Sequence, residues 1–206
     1  MSQRRSFKDL IGLIAVLLTI LYPLGVYWGL QHLVPRLLSG IILIAALLRF
    51  GAGFLFDRTH LAKALPLLLA VVCSCLISML LNDTTFLLYI PSFISLVFLV
   101  TIGQSLLWPP TFIETFAQRD FPVLPPSAIR YCRKVTFVWC GFLLFNAVMN
   151  AILATYAPHA WWALYSGLIS YVLMGLVFLI EFLIRKKIEP RFAADLEAMN
   201  LPAPST

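Results

Sequence analysis

Apolar residues fill the chain in six long runs, parted by short polar breaks and one longer one. The runs are Leu10–Leu30, roughly residues 33–56, Leu61–Leu81, Thr85–Leu107, Val135–Tyr156 and Trp161–Ile184. About 20 apolar residues in a helix cross the ~30 Å hydrocarbon core of a bilayer, so each run reads as a membrane span. The second run allows two placements. Leu33–Phe50 has Arg36 snorkelling outward, whereas Leu37–Phe56 holds Arg49 inside the membrane. Pro23, Pro66 and Pro91 fall within spans, where neighbouring helices can satisfy the backbone groups that proline frees. The expected fold is all-α and polytopic: one transmembrane domain over residues 1–206 with about six helices. Residues 108–134 read as an amphipathic cytoplasmic loop and 188–206 as a short cytoplasmic tail without nameable chemistry.

Composition agrees with the pattern. Hydrophobic residues make up 61% of the chain and charged residues 12%, about half the charge of an ordinary soluble domain. The net charge of +6 flanks the apolar runs and forms no separate basic region, which argues against a nucleic-acid partner. With both termini in the cytoplasm, all but Arg36 of the 15 lysines and arginines lie on or near the inner side, as the positive-inside rule requires. This threading fits a multi-pass protein of the bacterial inner membrane. Arg4-Arg5-Ser6-Phe7-Lys8 resembles a twin-arginine signal, but the run after it is too long for a signal core and has no small-x-small site. It reads as an uncleaved first span.

Candidate chemistry is sparse. Cys73-Ser74-Cys75 lacks metal or redox spacing, and Cys132 and Cys140 start another apolar run, so all four cysteines read as reduced apolar thiols. The histidines His32, His60 and His159 are dispersed. No metal site, cofactor or catalytic residue is expected. On the fifth span, Thr136, Trp139, Leu143, Asn146 and Asn150 fall on one helical face. Such a polar stripe either bonds neighbouring helices or lines a cavity or lipid head-group site. Arg49 and Glu181 are ionisable residues inside apolar runs, a costly placement that pairing or function explains. They could pair with each other, and Glu181 also has Arg185 one turn along. In the loop, Trp108, Phe112, Ile113, Phe116 and Phe121 suggest a segment lying on the inner leaflet. Arg130, Arg133 and Lys134 could grip an anionic lipid head group, or could simply set topology.

The chain resembles a bacterial inner-membrane family. The resemblance is carried by Pro91-Ser92-Phe93-Ile94, Gly103-Gln104-Ser105-Leu106, Tyr131 with Arg133-Lys134-Val135-Thr136, then Trp139, Phe142, Asn146 and Trp162-Ala163-Leu164-Tyr165. Tyr22-Pro23 and Arg49 fit the same pattern. That family is itself distantly similar to the septation protein A group, from which the chain departs in its polar loop and opening spans. Members of the closer family are similar to proteins encoded beside aryl-polyene or fatty-acid-like biosynthesis genes. The resemblance implies an envelope-lipid setting and transfers no catalytic residue. The expected function is a non-enzymatic scaffold or accessory subunit of a biosynthetic or division complex, working with the bilayer and as a homo-dimer or membrane complex. The alternative is a small carrier or flippase for a lipid-like product, with a membrane-bound enzyme third.

Overall fold

A computed structural model of the chain describes residues 22–56, 58–120 and 123–198, apart from the side chains of 52–64, 119, 120, 193 and 197. The opening of the expected first span, the Arg4-Arg5 end, Phe121, Pro122 and the last residues of the tail lie outside that description. The described residues are helical apart from short turns and connections, with no strand among them. In hydrocarbon every backbone polar group must find a partner within the protein, and the helix does this within one segment. Three helical runs, Ile90–Leu107, Pro126–Tyr156 and His159–Leu196, are long and apolar enough to cross a membrane. Leu48, Leu80, Leu107 and Phe137 are among many large apolar side chains left open. Lipid rather than water is the solvent such a surface fits.

The elements in order are α1 (22–32), α2 (Pro35–Phe56), α3 (Arg58–Leu81), α4 (Thr85–Leu88), α5 (Ile90–Leu107), α6 (Phe112–Asp120), α7 (Pro126–Tyr156), α8 (His159–Leu164), a π-helical turn (Tyr165–Ile169) and α9 (Ser170–Ala198). They divide into two compact units.

The first unit takes the chain up to Ile94 together with Ala147–Tyr171. Here α2 packs along α3, and Ser39 near the start of α2 donates to Ser78 near the end of α3 at 2.8 Å, so the two run antiparallel. Ser78 passes its own proton to the Asp83 carbonyl at 2.7 Å. Arg36 caps the same end of α3 through the Met79 carbonyl, 3.3 Å away, where a cation also complements the helix dipole. Asn82 turns the chain with a φ of 52°, a left-handed conformation that asparagine tolerates better than most residues. Asp83 then accepts from the Thr85 amide at 2.9 Å and its hydroxyl at 2.7 Å. Those donors, the amide first, hold its carboxyl below the usual carboxylate range. Gly29 lets α1 approach α2 closely, since a Cβ there would sit 2.5 Å from a Leu38 methyl. The core gathers Val26, Leu88, Ala154, Trp162 and Ala163, with Leu38, Cys75, Leu87 and Ile90 beside them.

Thr85–Leu107, expected as one helix, is interrupted at Tyr89. Pro91 is the physical reason. It has no N–H to give the Leu87 carbonyl four residues back. That carbonyl instead receives the Tyr22 hydroxyl at 3.0 Å. The next one, Leu88, receives the indole N–H of Trp162 at 2.9 Å. Side chains from α1 and α8 thus supply donors to two carbonyls at the interruption.

The second unit takes Ser95–Asn146 together with Val172 onward. Between α5 and α7, α6 opens with a capping box. Thr111 and Glu114 bond reciprocally, the Thr111 amide reaching Glu114 Oε2 at 3.1 Å and the Glu114 amide reaching the Thr111 hydroxyl at 3.4 Å. This arrangement satisfies two donors that a helix start otherwise leaves bare. The Phe112 amide, meanwhile, goes to Ser105 Oγ at 2.8 Å. Two helices run past the expected span limits. The segment expected as the end of the 108–134 loop is helical from Pro126, so Arg130, Arg133 and Lys134 stand on α7. The expected tail from residue 188 is helical to Ala198. Hydropathy marks where a helix leaves lipid; it does not mark where the helix ends, and Arg, Lys, Glu and Ala are all good helix formers.

Candidate functional site

The expected stripe on α7 is distributed over the two units. In the second unit, the Thr136 side chain is fully buried and donates to the Cys132 carbonyl of its own helix at 2.8 Å. Trp139 packs edge-on against Phe178 of α9, with ring centroids 4.4 Å apart, and against Phe142 at 5.9 Å. Asn146 donates through Nδ2 to Ser95 Oγ of α5 at 2.9 Å. In the first unit, Asn150 is fully buried and its Oδ1 accepts from Ser166, in the π-turn, at 2.7 Å. Nearby Ser92 donates to the Ala147 carbonyl at 2.7 Å, and Tyr89 shares a 2.5 Å bond with Thr155. Among the described residues no buried side-chain polar atom lacks a partner. Both carboxamides therefore tie one helix to another.

The two intramembrane charges differ. Glu181 is part-buried and pairs with Arg185 at 3.5 Å, one turn along α9, while its carbonyl accepts the Tyr131 hydroxyl at 3.3 Å. Arg49 belongs to the first unit, where it is exposed on α2.

The basic residues form a more defined place. Ser127, Arg130, Tyr131 and Lys134 of α7 face Ile188, Arg191, Phe192, Ala194 and Asp195 of α9 across an open groove of about 480 Å³. The spacing explains the convergence. Positions 127, 130, 131 and 134 share one helical face, and 188, 191, 192 and 195 share another. Ser127 donates to Asp195 at one edge. Tyr131 and Phe192 stack obliquely at 5.9 Å along it. Three cations thus line the groove against one carboxylate. Of the three basic residues expected to act together, Arg130 and Lys134 line the groove, whereas Arg133 is exposed on another face of α7. Arg191, Phe192 and Asp195 lie in the segment expected as a short tail without nameable chemistry. Their three- and four-residue spacing, continuing that of α9, was the available signal.

No family model, curated protein or solved structure matches the chain.

Proposed function

We propose that the chain is a six-span protein of the bacterial inner membrane with both termini in the cytoplasm, and that it acts in envelope biogenesis as a non-enzymatic scaffold or accessory subunit, similar in kind to the septation protein A group. Its partners on this reading are the bilayer and either a second copy or a membrane-bound biosynthetic or division complex. The observation that supports a scaffold over a carrier is the engagement of the two carboxamides. Asn146 is bonded to Ser95 and Asn150 to Ser166, so the polar groups a carrier would turn toward cargo are joining helices instead. Each such interhelical bond contributes about 1 kcal/mol, which suits a rigid element better than a path that opens and closes.

Two measurements test the reading together. Deletion of the gene, followed by lipid and pigment profiling, is expected to alter the envelope. Reconstitution of the purified chain into liposomes containing a fluorescent phospholipid is expected to leave the rate of exchange between leaflets at that of protein-free liposomes. Accelerated exchange would establish the carrier alternative. An unchanged envelope would remove both.

A further inference from the structure

We infer that the groove between α7 and α9 is a binding site for the phosphate of an anionic membrane lipid. The inference rests on the membrane reading of these two helices and is independent of the scaffold role. The groove's charge is the first argument. Arg130, Lys134 and Arg191 line it, and among the described residues none of the three makes a salt bridge. The one facing carboxylate, Asp195, is already bonded by Ser127. Three cations against one carboxylate leave this recess of about 480 Å³ net cationic, which favours an anion. Guanidinium groups in particular match the oxygens of phosphate in a bidentate way. The smaller neighbouring recess, lined by Phe182, Arg185, Lys186 and Glu189, is different, because its arginine is engaged by Glu181.

Depth along the helices identifies the source of the phosphate. The apolar run of α7 begins at Val135 and that of α9 ends at Ile184. At about 1.5 Å per residue, Tyr131 and Ile188 lie about 6 Å beyond those limits. The head-group layer on each face of a bilayer is itself roughly 5–7 Å thick. By the same rise Lys134 lies about 1.5 Å, Arg130 about 7.5 Å and Arg191 about 10.5 Å beyond those limits. Lys134 thus meets that layer at its inner edge and Arg130 at its outer edge, and the long side chain of Arg191 reaches back toward it. Tyr131, which stacks on Phe192, lies within the layer, a depth that the amphipathic ring of tyrosine favours. A phospholipid would leave its chains beside the exposed apolar face of α7, where Phe137, Val138 and Leu144 are open, and set its phosphate among the three cations.

The test uses the full chain in nanodiscs holding phosphatidylglycerol and phosphatidylcholine in equal proportion, with the lipid retained after detergent extraction measured by native mass spectrometry. Phosphatidylglycerol should be retained preferentially. Arg130→Gln and Arg191→Gln should each lower its retention about fivefold, the loss expected for one cation near the surface. Arg130→Lys should restore part of it, and Arg133→Gln, which removes an equal charge from another face of α7, should change nothing. A loss in Arg133→Gln equal to that in Arg130→Gln, or equal retention of the two lipids, would overturn the site. Displacement of the lipid by free glycerol phosphate would overturn the lipid assignment and leave a soluble phosphate ligand. Failure of the chain to fractionate with membranes would count against the membrane reading, a separate outcome from failure of the groove.

Discussion

The carboxylate of Asp83 accepts two bonds from Thr85 in an exposed turn, and its pH behaviour follows from them. Its folded pKa is lowered, so folding favours the ionised form. The stability it contributes is complete above the ordinary carboxylate value of about 3.9 and is lost as pH falls through the lowered folded value. Asp83→Asn should therefore unfold earlier than the parent at neutral pH, with the difference shrinking in acid. Thermal unfolding in detergent across pH measures this, and a difference that grows in acid would contradict it. At this scale the sequence was partly legible. The spacing of Asn146 and Asn150 put both on one face, since helical periodicity needs no knowledge of neighbours. Their partners were not legible. Serines in membrane helices commonly bond their own backbone one turn back, as Ser74 does. Nothing local marks Ser39, Ser92, Ser95 and Ser166 as serines that reach another helix.

At the scale of elements, the apolar runs within the described residues were visible as helices, but the interruption at Tyr89 was not. Pro91 announced a lost donor; which side chains would replace it depended on where Tyr22 and Trp162 come to lie. The replacement predicts a specific coupling. Tyr22→Phe removes the donor to the Leu87 carbonyl and should destabilise by about 1 kcal/mol. In a Pro91→Ala background the new backbone N–H can take that carbonyl, and the same change should cost less. A double-mutant cycle on unfolding measures the difference; equal costs in both backgrounds would show that the bond does not compensate for the proline. The start of α7 and the end of α9 lie beyond the expected spans for a different reason. Their polar ends keep helical spacing while losing hydropathy, and the sequence was read by hydropathy. The Thr111-x-x-Glu114 start of α6 was legible as a capping box and was passed over.

At the scale of the molecule, composition alone indicated a membrane protein, and the structure adds three helical runs fit to cross a bilayer. The proposed six-span threading makes the strongest use of charge. It predicts that a fluorescent protein fused after Thr206 is bright, whereas alkaline phosphatase inserted at the Asp83 turn or at Pro158 is active. Phosphatase activity at Thr206 would reverse the threading.

The interruption between α4 and α5 also bears on the order in which the chain is made. The Leu88 carbonyl and the indole that satisfies it are separated by 74 positions, so at synthesis the acceptor exists long before its donor. An acceptor left bare in hydrocarbon costs several kcal/mol. The first unit is therefore incomplete until the α7–α8 hairpin returns Trp162 to it. A chain truncated after Tyr156 lacks Trp162, and the Leu88 carbonyl is then left without that donor.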